Sequence, residues 1–125
     1  MTGVLGRPAL ARQDAAIGVR RTQRLGARWR RSTNPDGSAP EVFDFTGYSG
    51  ELRINSNEGD EWLTKALVFD SAAGVVAAEI TPEDTEGAAW LARSTGRWSL
   101  VTTSPEGEVT VLVAGIMRII QEGTL

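Results

Sequence analysis

The chain of 125 residues has no cysteine and no histidine. Those two absences together remove disulfides, thiol nucleophiles, imidazole general bases and His/Cys metal sites. Carboxylates alone remain as metal ligands. Lysine occurs once, at Lys65, so a lysine-based active site has one candidate and no second lysine behind it. Long apolar runs are missing too. Nothing approaches the roughly 20 apolar residues that cross a bilayer as a helix. Arginines and prolines break every apolar run near the start, so no secretory segment is read there. The expectation is a cytoplasmic chain without cofactor or membrane partner.

What is present suits one compact domain. Hydrophobic residues make up 41%, and a chain of this length buries roughly two-thirds of its unfolded surface. Charge is distributed unevenly. Residues 1–31 carry eight arginines and one acid, Asp14, for a net +7; residues 32–125 carry a net −10. A basic leading piece on an acidic body would attract another copy or an acidic partner.

The stretch from Asp44 to Asn55 sets the pattern. It turns at Gly47 and then alternates, with Tyr48, Leu52 and Ile54 on one face and Ser49, Glu51 and Arg53 on the other. Period two marks a half-buried β-strand. The same turn-then-strand logic gives strands over 63–70, 74–81, 97–103 and 108–119. Val109, Val111, Val113, Met117 and Ile119 are expected inward on the last, with Gly115 marking a bulge or a close approach. Ser104-Pro105-Glu106-Gly107 reads as a hairpin loop. Residues 17–31 read as one strand, with Arg20, Arg24, Arg28 and Arg30 along one face as a positive ladder. Thr81-Pro82-Glu83-Asp84 starts a short helix that ends near Leu91, with Trp90 and Leu91 covering one end of the fold. Residues 1–16 read as an N-terminal arm whose alanine-rich part could form helical turns, and 17–125 as the folded domain. The fold class is therefore an all-β antiparallel sandwich with one short helix.

Candidate sites are few. The acidic turn Glu58-Gly59-Asp60-Glu61 lacks the ligand spacing of a calcium loop and reads as solvated. Glu83, Asp84 and Glu86 read as acids complementing a helix start. Trp29, Trp62, Trp90 and Trp98 could form a sugar platform but sit on separate elements, which favours core and end-cap positions. The arginine ladder is the main candidate interaction surface. Nucleic acid is disfavoured as its partner because the whole chain is acidic; pairing with acids of a neighbouring subunit and a merely solvated face both stand. No nucleophile–base pair is recognisable, so an enzyme is not expected.

The layout also carries a resemblance. It runs through Asp44-Phe45-Thr46-Gly47-Tyr48-Ser49-Gly50-Glu51-Leu52-Arg53-Ile54, then Gly74 to Thr85, Gly96-Arg97-Trp98-Ser99-Leu100, Pro105-Glu106-Gly107 and Val111 to Ile119. Over about residues 17–120 this resembles the small immunoglobulin-like β-sandwich domains of tailed-phage structural proteins. Examples are the baseplate upper protein N-terminal domain and the LtfC-like tail proteins. The resemblance implies a non-enzymatic virion component, assembled in the host cytoplasm. A minor tail or baseplate adaptor, working as a homo-oligomer with other phage structural proteins, leads. A capsid decoration or head–tail connector protein follows, and a carbohydrate-binding module is the alternative from another class.

Overall fold

A computed structural model describes residues 11–31, 41–42 and 44–121. The remaining residues, among them 1–10 of the expected arm, lie outside them. The longest hairpin is built from β10 (Thr95–Thr103) and β11 (Val109–Ile120). Its loop closes where the Gly107 N–H donates to the Ser104 carbonyl at 2.9 Å. Gly107 sits at φ 89°, a conformation that glycine enters without a Cβ clash. β6 (Ser49–Asn55) pairs antiparallel with β10, and β7 (Glu61–Ala66) pairs antiparallel with β6.

The leading strands β1 (Ala11–Arg12) and β2 (Ala15–Gly18) run parallel to β11, with Ala11 opposite Val113 and Ile17 opposite Ile119. Between them the Asp14 carboxylate accepts the Ile116 N–H at 3.0 Å, standing in for a main-chain acceptor. The first sheet is therefore ordered β1/β2–β11–β10–β6–β7. The second contains β3 (Gln23–Arg28), β8 (Val68–Asp70) and β9 (Val75–Ile80), ordered β3–β9–β8 and antiparallel throughout. β4 (Arg30–Arg31) and β5 (Glu41–Val42) form a short separate ladder.

Both sheets contribute to one core. Ile17, Leu52, Ile54, Trp98, Leu100, Val113 and Met117 come from the first sheet; Val76, Ala78 and Ile80 come from the second. Alternation puts these side chains on one face of each strand. Phe45 is buried beside them, with its ring 5.5 Å from Phe69 and 5.4 Å from Tyr48. The all-β expectation thus holds, as two packed sheets, but the expected antiparallel pairing does not extend to the leading strands, which join β11 in parallel.

Five expectations are corrected. Residues 17–31 are not one strand: β2 and β3 lie in different sheets. Arg20 turns the chain at φ 61°, and the Gln23 side chain clamps Gly18 by accepting its N–H at 2.9 Å and donating to its carbonyl at 2.8 Å. The strand read over 63–70 also changes sheets, at buried Leu67, whose N–H donates to the Gly50 carbonyl at 2.9 Å. On the last strand, Leu100 faces Val113 while Val101 faces Val111. Leu112 is therefore an extra residue, and the face flips there. Val109 and Val111, expected inward, are 65% and 38% exposed. The single short helix is instead two 3₁₀ turns, Pro82–Thr85 and Ala88–Ala92, separated by extended Gly87. Trp90 is buried there but Leu91 is 53% exposed. Finally, residues 11–12 and 15–16 are strand rather than helical turns, because β11 offers them a ladder. The expected boundary after residue 16 falls inside β2.

Candidate interaction surface

The expected arginine ladder does not form as a unit. Arg20 lies in the turn, where its N–H donates to Thr85 Oγ1 at 2.7 Å and its guanidinium reaches the Glu86 carbonyl at 3.4 Å. Arg24 and Arg28 do share the exposed face of β3, with Arg24 in register with Glu79 of β9. Arg30 belongs to β4, and its side chain lies outside the described residues. The turn separates Arg20 from the Arg24–Arg28 pair, so the row is broken there.

Another group of arginines is assembled by the fold. Arg53, Ser99, Ala114 and Arg12 are register partners in one line across β6, β10, β11 and β1. At the usual strand spacing, the two arginines at its ends are roughly 14 Å apart along the sheet. Arg97 lies on the next line, between Asn55 and Ile116. Small Ser99 and Ala114 make a floor, and Arg12, Arg53 and Arg97 surround it. The result is an open groove of about 540 Å³ on the outer face of the larger sheet.

All three arginines are exposed, as is Arg118 on the same face. Arg53 is held by Glu51 at 2.5 Å. Arg12, Arg97 and Arg118 make no side-chain hydrogen bond or ion pair among the described residues. Beside the groove, Val109, Val111 and Ile116 of β11 add an exposed apolar strip. No sequence window could display this surface, because it takes its residues from four strands.

The acidic turn borders the groove, since Asn57 lines it. Its backbone is self-supporting. Ser56 donates its N–H to the Asp60 carbonyl at 2.8 Å, and the Asp60 N–H donates to Ser56 Oγ at 2.9 Å. Glu58, Asp60 and Glu61 point into solvent.

The second acid cluster divides its tasks. Glu83 and Glu86 are exposed, whereas Asp84 accepts the Thr81 N–H at 2.8 Å and pairs with Lys65 at 3.0 Å. Burial pushes the Asp84 carboxyl up, but the Thr81 and Lys65 contacts outweigh it and hold the group below the usual carboxylate range. The chain's only lysine is thereby committed to structure.

Two tryptophans that look separate in sequence meet at one end of the fold. Trp62 and Trp90 lie 6.1 Å apart in edge contact, and the Arg93 guanidinium covers both rings at 4.7 and 4.3 Å. Burial lowers the Arg93 pKa from its ordinary value. Trp98 is buried as Trp90 is, and Arg93 covers the half-buried Trp62, so these three rings make no open sugar platform. Neither a protein-family model nor a curated protein matches this chain in sequence.

Proposed function

We propose that the chain is a non-enzymatic docking module with an immunoglobulin-like sandwich, serving as a structural component of a tailed-phage virion. A minor tail or baseplate adaptor is the favoured position. The strand order supports the fold. One layer runs from the leading strand through β11, β10, β6 and β7, and the other is β3–β9–β8. That is the order expected when a GFC sheet extended by C′ faces a BED sheet.

The observation that carries the docking reading is the outer face of the larger sheet. There a groove ringed by Arg12, Arg53 and Arg97 adjoins the exposed apolar side chains of Val109, Val111 and Ile116. Apolar area with a charged margin is the composition of a protein interface. Among the described residues β7 and β8 stand at sheet edges, which are places for strand augmentation. Such a module works by joining neighbours, so its partners are other structural proteins and further copies of itself.

Immunogold microscopy tests the reading. An antibody against the purified chain should label one feature of intact particles of the phage that encodes it. Mass spectrometry of those particles finding none of the chain would refute it.

A further inference from the structure

We infer that the groove is a carboxylate-binding site whose occupant is the acidic turn of a second copy. The two features lie side by side on one surface. Asn57 lines the groove, and the exposed residues Glu58, Asp60 and Glu61 follow it directly in the chain. Three arginines and three acids thus form adjacent patches of opposite sign.

Such a surface is self-complementary. A two-fold axis between the patches brings the turn of each copy to the groove of the other, which satisfies the symmetry of an isologous dimer. Guanidinium forks match carboxylates bidentately, and Arg12 and Arg97 have their donors available. The Val109–Val111–Ile116 strip supplies apolar area that a free ion or a nucleic-acid backbone would leave in water. Glu58 and Asp60 have no role in holding their own turn beyond the Asp60 main chain, so they are available to a neighbour.

This inference rests on the docking reading, but it can fail separately. Light scattering reads self-association, whereas microscopy of particles reads incorporation. The full chain should elute at low salt with twice its monomer mass and dissociate as salt screens the pairs. Arg12→Glu with Arg97→Glu should weaken the dimer by about tenfold or more, and so should Glu58→Lys with Asp60→Lys. Mixing the two double variants should restore it, because each groove then meets a turn of opposite sign. Circular dichroism melting at high salt and monomeric concentrations should leave both variants as stable as the parent, since all four side chains are exposed. A parent that stays monomeric at every concentration overturns the inference. So does a dimer indifferent to both variants, a mixture that fails to recover, or loss of DNA binding as the only effect of the arginine changes.

Discussion

Trp98 and Gly115 face each other across β10 and β11, and the Gln13 carbonyl from the leading strand covers the glycine while accepting the indole N–H at 2.9 Å. A Cβ at position 115 would overlap that carbonyl. Gly115→Ala should therefore cost about 1–3 kcal/mol by forcing the leading strand outward. Trp98→Phe should cost at least about 1–3 kcal/mol, because it strands the carbonyl acceptor and leaves space. Urea unfolding measures both; parent-like midpoints would remove this contact from the account of stability.

Thr85 is fully buried, and its hydroxyl receives the N–H of Arg20, the one described non-glycine residue at positive φ. The 3₁₀ turn thus anchors the switch between sheets. Thr85→Val keeps the shape and removes the acceptor, which should cost about 1–3 kcal/mol. Faster amide exchange at Arg20 should accompany the loss. Unchanged exchange would mean that the turn holds itself.

The bulge at Leu112 makes two neighbours on β11 differ sharply. Leu112→Ala should cost about 2–5 kcal/mol as a core truncation. Val109→Ala, three residues away, should stay within about 0.5 kcal/mol when unfolding is followed at monomeric concentrations. Equal losses would contradict the flipped face.

Asp84 should shape the acid limb of stability. Its carboxyl is depressed in the folded state, so its contribution is present above the unfolded value of about 3.9 and disappears as pH falls through the folded one. The parent should lose stability below about pH 4 more steeply than Asp84→Asn, which has already lost it at neutral pH. Parallel curves for the two would show that the Lys65–Asp84 pair contributes nothing to acid sensitivity.

What could be read from sequence was local. The alternation of Leu52 with Ile54, and of Trp98 with Leu100, reports burial directly. Ser104 to Gly107 states its turn in its own residues. The failures share a physical cause, which is that the partner strand decides. At Leu67 the chain stays extended while changing sheets, and extended backbone carries no mark of which ladder it joins; at Arg20 it turns through a left-handed residue that no glycine or asparagine announces. Ile17, Val19, Leu25 and Ala27 share one parity of that stretch, and the polar Arg21 and Gln23 that interrupt it are the local trace of the first switch. Leu112 became a bulge through its register with Leu100 and Val101. Alanines 15 and 16 favour helix alone, but β11 captures them. The basic groove was illegible for the same reason, since Arg12 and Arg53 meet on one line only after three pairings are made.

The parallel ladder between the leading strand and β11 also governs how the fold bears tension. Ala11 starts beside Val113, and Gly18 finishes beside Ile120, so the described chain enters this ladder at one end and leaves it at the other. Pulling on the two ends slides the strands past each other, loading their hydrogen bonds jointly in shear instead of peeling them singly. Single-molecule stretching through the chain ends should meet high rupture resistance, and Gly115→Ala should lower it. A component seated in an apparatus that transmits mechanical load would gain from that arrangement.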